Sequence, residues 1–114
     1  MEMIVHLHPD VFEIVQKGVK DIEVRVNDEK RRKLKVGDTL IFLKRPLEDE
    51  KIVKKVKALE YYDDFKELVK HYDMKRIYLE NYTSEEYLKE MARFYTQEEQ
   101  DEFGVVAIIF EPLD

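Results

Sequence analysis

The sequence predicts an α+β fold: a small, mostly antiparallel β-barrel of about five strands, with helices over its ends and one side. Three observations carry that expectation. Short apolar segments separated by turn residues fill most of the first half of the 114 residues. Helical spacing and two capping boxes dominate the second half. A final apolar run, FGVVAIIF at 103–110, then returns the chain to sheet.

Each element follows from its residues. MIVHLH (3–8) reads as a first strand, and Pro9 suits the first turn of a helix, where its missing N–H costs nothing. Val11, Phe12, Ile14 and Val15 give that helix an apolar face, and Gly18 stops it. DIEVRV (21–26) alternates: Ile22, Val24 and Val26 face one way, Asp21, Glu23 and Arg25 the other. NDEKRRKLK (27–35) is a polar connection with a basic centre. VGDTLIFL (36–43) is a nearly continuous apolar strand after a Gly-Asp turn, expected to be buried on both faces.

RPLEDE (45–50) is a turn, and KIVKKVKAL (51–59) a strand with Ile52, Val56 and Ala58 on one face. Phe65, Leu68, Val69 and Tyr72 have helical spacing, with Asp63 or Asp64 as cap. TSEE (83–86) opens a helix whose buried face is Tyr87, Leu88, Met91, Ala92 and Tyr95. TQEE (96–99) repeats the box before a last short turn. No repeat or linker interrupts the chain, so one domain spanning residues 1–114 is expected.

Composition bounds the function classes. At 40% charged residues and with no cysteine, the chain fits a heat-adapted, thermostable intracellular protein without disulfides or thiolate metal sites. VVAIIF at 105–110 is too short to span a bilayer and the N-terminus lacks a secretion signal, so a cytoplasmic location without membrane attachment is expected. Net charge is −6, but residues 17–57 hold 14 Lys/Arg against 8 Asp/Glu, a surplus of six bases. Such polarity can offer a basic surface to a polyanion. No G-x-G-x-x-G, P-loop, H-E-x-x-H or G-x-S-x-G motif occurs, so no cofactor is expected.

The chemistry-bearing residues are few. Glu23 and Arg25 project to one face of a strand, near Lys20, where the loop enters it. Alternating charged strand faces are common and a solvated ion pair there is worth about 0–1 kcal/mol, so spacing alone favours an ordinary surface. Lys30, Arg31, Arg32, Lys33 and Lys35 can contact phosphates or simply solubilise a sheet edge. His6 and His8 share a strand face, yet no matching ligand cluster completes a zinc site, so no metal is expected. Most tyrosines sit on apolar helix faces; Tyr82, beside Glu80 and Asn81, is the one kept as a ligand platform.

Gly18, Lys20, Glu23 and Arg25 stand in the pattern G-x-K-x-x-E-x-R. With the basic connector, VGDTLIF and the closing FYTQEEQDEFGVVAIIF, that pattern resembles the ASCH family, a branch of the PUA-like barrels, over nearly the whole chain. The resemblance implies a barrel with a central cleft and an RNA, nucleoside or nucleotide ligand. Some relatives of this kind are amidohydrolases that deacetylate N4-acetylcytidine, and another is a ribonuclease. Their lysine maps onto Lys20 and their later glutamate onto Glu80, but their threonine is replaced here by Glu23, which lacks the hydroxyl.

The expected function is therefore RNA or nucleotide binding in a cleft of Gly18, Lys20, Glu23, Arg25 and Tyr82, with Arg31 and Arg32 on phosphates. A hydrolase using Lys20, Glu23 and Glu80 is the alternative, and a protein-interaction module acting through the acidic helices is a third. A monomer is favoured.

Overall fold

Branched and aromatic residues that alternate or run together form the strands. The computed structural model, which describes residues 1–113, has β1 (Glu2–Leu7), β2 (Ile22–Val26), β3 (Thr39–Lys44), β4 (Lys51–Tyr62) and β5 (Val105–Pro112). Between them lie α1 (Pro9–Gln16), α2 (Glu29–Arg32), α3 (Phe65–Leu68), α4 (Met74–Ile77), α5 (Ser84–Ala92) and α6 (Gln97–Phe103). None of these helices is long and apolar enough to cross a membrane.

The strands make one sheet in the order β1-β3-β4-β5-β2. Among the described residues, β1 and β3 pair in parallel and the other three pairings are antiparallel. The sheet curls into a half-barrel, the α+β arrangement of a PUA-like barrel. Because β1 and β2 are its two edges, a seam is left between them.

Two cores sit on opposite faces of this sheet. Val106, Ile108 and Phe110 of β5 join Met3, Val5, Leu40 and Phe42 inside the curl, which α1 closes with Val11, Phe12 and Val15. Val105, Ala107 and Ile109 face outward with Ile22, Val24 and Val26, under Phe65, Leu68, Ile77 and Tyr87 from the helices. Burying each of the Val, Leu, Ile, Phe and Met side chains among these contributes roughly 1.5–3 kcal/mol.

The structure corrects four local expectations. A β-bulge at Lys57 breaks the alternation of β4, so Val56 and Leu59 pack inside while Ala58 and Tyr62 pack outside. Ala58 and Val56 therefore do not share a face. In β3, Leu40 and Phe42 are fully buried but Ile41 is only half-buried, on the same open face as its β1 partner Ile4, which is 50% exposed.

The helix expected through Tyr72 stops at Leu68. There the Tyr72 hydroxyl is drawn to Tyr62 at 2.8 Å and to Glu60 at 2.7 Å, and a separate turn, α4, follows. The basic connector contains one helical turn, α2, capped by Asp28 accepting from the Arg31 N–H at 3.1 Å. Both capping boxes, at Thr83 and Thr96, form as the sequence predicts.

Candidate ligand-binding cleft

The seam between the sheet edges opens into a cleft of about 570 Å³. His6 and Leu7 of β1 line one side, and Glu23, Val24 and Arg25 of β2 line the other. Helix α5 and the residues after it supply Tyr87, Glu90, Met91, Phe94 and Tyr95.

Local folding puts Lys20 at the floor. After α1 the chain reverses at Gly18, whose φ of +80° lies where side chains are disfavoured. The reversal lets the backbone N–H groups of Val19 and Lys20 donate to the Ile14 carbonyl at 3.0 and 3.1 Å. Lys20 is thereby tied to the end of α1 just before β2 begins.

Pairing with β5 fixes the next two residues. Glu23 lies opposite Ile108 and Arg25 opposite Val106, so both point into the curl rather than under the helices. The charged face of DIEVRV is thus a wall of the interior.

The result is a buried ion triad. Lys20 Nζ lies 3.1 Å from Glu23 Oε1, donates to the Ile77 carbonyl at 2.8 Å, and also donates to the Ile22 carbonyl. Arg25 donates through Nε and Nη2 to Glu23 Oε2 at 3.0 and 2.7 Å. Glu23 therefore accepts three charge-assisted bonds, the strong kind.

Burial alone would raise the Glu23 pKa, but Lys20 and Arg25 outweigh it and hold the carboxyl below its ordinary value. Burial pulls Lys20 downward, and the attraction of Glu23 offsets part of that shift. Three oxygens around Nζ call for three N–H donors, which an ammonium has and a neutral amine lacks. Glu23 raises Arg25 well above the ordinary guanidinium value.

Arg25 is the member that reaches the cleft, with 23% of its side chain exposed against 2% for Lys20. Above it stands an aromatic wall. Tyr78 and Tyr87 pack with ring centres 5.6 Å apart, and burial raises the Tyr78 phenol to about 12. Phe94, 63% exposed, forms the rim.

Of the residues singled out in the sequence, Lys20, Glu23 and Arg25 come together and Gly18 shapes their turn. Glu80 does not join them: it is exposed in the turn between α4 and α5, and Glu90 of α5 lines the cleft from the helical side. Tyr82 stands one ring back, edge-on to Tyr78 at 4.9 Å. Arg31 lines an adjoining pocket. Arg32 donates to the Asn27 carbonyl at 3.0 Å and covers the Phe103 ring.

His6 and His8 both line the cleft, and His6 Nδ1 is bound to Glu48 at 2.5 Å. Among the described residues, no three His, Cys, Asp or Glu side chains gather at metal-binding spacing. Phe94, Glu90 and Arg45 are cleft residues that sequence reasoning missed. Phe94 was findable, because it lies seven residues after Tyr87 on the helical repeat.

Comparison with known proteins agrees with this architecture. The crystal structure of hypothetical protein PH0355 is 36% identical, with 99% of this chain and 100% of that one covered and a TM-score of 0.84. The solution NMR structure of protein PF0455 from Pyrococcus furiosus is 34% identical, with 100% and 99% covered and a TM-score of 0.79. No curated protein matches. The model of the ASCH domain matches residues 5–114, and the chain belongs to the ASCH domain family.

Proposed function

We propose that this ASCH domain binds RNA or a nucleotide-sized ligand in the cleft between β1 and β2. The observation that carries the reading is the juxtaposition of Arg25, held by Glu23 at the cleft floor, with an exposed aromatic ring, Phe94, at the rim. A base has a polar edge and two flat faces. Arg25 and Glu90 can meet the edge, while Phe94 stacks on a face.

Lys20 has a supporting role in this reading. Its donors are taken by Glu23, Ile22 and Ile77, so it fixes the Glu23–Arg25 pair rather than touching ligand. The same bonding disfavours hydrolysis of N4-acetylcytidine or RNA. A saturated ammonium is no general base, and a carboxylate held acidic by two cations is a weak one.

Fluorescence anisotropy with short labelled RNAs and single nucleotides, repeated across salt concentrations, tests the proposal. Binding that weakens with salt and is lost in Arg25→Ala supports it. No binding, or tight binding unchanged by salt, contradicts it. An acetate-release assay on N4-acetylcytidine separates the hydrolytic alternative, for which this reading expects no turnover.

A further inference from the structure

We propose that a second pocket of about 390 Å³, adjoining the cleft, seats a phosphate group of the ligand, either a terminal phosphate or a backbone phosphodiester. This rests on the nucleotide reading above and names a part of the ligand which that reading leaves open.

The pocket is lined by Ile4, His6, Arg25, Lys30, Arg31 and Arg45. Four of these are cations and none is an acid. They come from separate segments: β2 gives Arg25, α2 gives Lys30 and Arg31, and the turn after β3 gives Arg45. The fold has gathered like charges that repel one another, an arrangement an anion relieves.

Local acids neutralise only part of this charge. Glu23 holds Arg25, and Asp28 lies 3.6 Å from Arg31 Nη1. Lys30 and Arg45 form no ion pair among the described residues, so two cations remain uncompensated. His6 is held through Nδ1 by Glu48.

An independent observation points the same way. Arg31 Nε is buried and has no hydrogen-bond partner among the described residues. A buried donor left without an acceptor costs about 1–3 kcal/mol, and such groups are uncommon in native structures. A tetrahedral oxyanion between Arg31 and Arg45 can take paired bonds from the outer guanidinium nitrogens, and a shift of the Arg31 side chain toward it would bring the buried Nε–H within reach.

Continuity gives the assignment its shape. His6, Arg25 and Arg45 line both the pocket and the larger cleft. A base against Phe94 and a phosphate against Arg31 therefore belong to one ligand laid across the seam.

The test follows the arginine Nε–Hε NMR signals of the full chain during titration with inorganic phosphate, against a chloride control of equal ionic strength. Saturable shifts at Arg31 and Arg45 are expected in the wild type, and the Arg45 shift should be abolished in Lys30→Ala/Arg31→Ala. Lys30→Ala alone, at an exposed position, weakens the response and serves if the double variant fails to fold. In parallel, cytidine 5′-monophosphate and the dinucleotide CpC should each bind at least about tenfold tighter than cytidine. The double variant should lose that advantage while keeping its affinity for cytidine.

Whichever of the two phosphorylated probes binds tighter identifies the source, a free nucleotide or a strand. Absent or non-saturating phosphate shifts, with equal affinity for cytidine and its monophosphate, overturn the pocket and leave the cleft reading standing. Saturable phosphate shifts without any nucleoside binding keep the pocket and overturn the cleft reading instead.

Discussion

Lys20 and Glu23 meet Nζ to Oε1 at 3.1 Å, with only 2% and 9% of their side chains exposed. They stand three positions apart, Lys20 on the turn and Glu23 on the strand, and Arg25 completes the arrangement from two residues further on. Two cations thus share one carboxylate, and only the outer cation reaches the cleft. Ordering Arg25 before ligand arrives removes a cost that a free arginine would meet on binding.

Lys20→Met is expected to destabilise the protein strongly. It leaves the Ile22 and Ile77 carbonyls without their donor and removes one of the charges facing Glu23. Breaking a buried ion pair costs about 3–5 kcal/mol. Urea unfolding should show this loss, and Lys20→Met/Glu23→Gln should lose less than the two single variants combined. A Lys20→Met protein as stable as the wild type would contradict the structural role of the triad.

Acid should weaken the fold through Glu23. Its folded pKa is depressed, so the unfolded chain binds more protons, and stability falls as pH falls. The contribution is fully present above the ordinary carboxyl value of 4.5 and disappears as pH drops through the lower folded value. Denaturant midpoints measured from neutral pH into that range should decline in the wild type and decline less steeply in Glu23→Gln. Identical slopes would show that Glu23 is not the titrating group.

Phe94→Ala should separate binding from stability. The ring is 63% exposed, so its removal should change unfolding free energy by less than about 0.5 kcal/mol. Losing a stacking platform should cost about 1–3 kcal/mol of RNA or nucleotide affinity, readable by anisotropy. Unchanged affinity would place the base elsewhere.

Arg45→Ala should reduce the salt dependence of RNA binding. Arg45 is exposed, forms no ion pair among the described residues and lines both cavities. For a single strand each phosphate contact adds about 0.7 to the slope of log affinity against log salt, so the variant's slope should be shallower by about that amount. An unchanged slope would mean that Arg45 meets no phosphate.

How far the sequence reached depended on distance along the chain. Lys20, Glu23 and Arg25 were legible because strand alternation and a short turn decide their relation locally. Glu80 was not, because its place depends on how the turn between α4 and α5 packs, which puts Glu90 at the cleft instead. The face of Ala58 was lost to a single bulged residue, Lys57, which no alternation pattern announces. The end of α3 was set by Tyr72 bonding to Tyr62 and Glu60 across the fold, a tertiary contact that overrides helical spacing. Arg31 and Arg32, neighbours in one basic run, part company because one helical turn aims them at a pocket and at Phe103.

The most direct measurement of the central claim is an amide chemical-shift titration of the full chain with a panel of nucleosides, nucleotides and short RNAs. The account predicts saturable shifts concentrated at residues 6–8, 22–25 and 87–95, with Arg25→Ala abolishing them. Shifts confined to the outer helices, or none with any member of the panel, would contradict it.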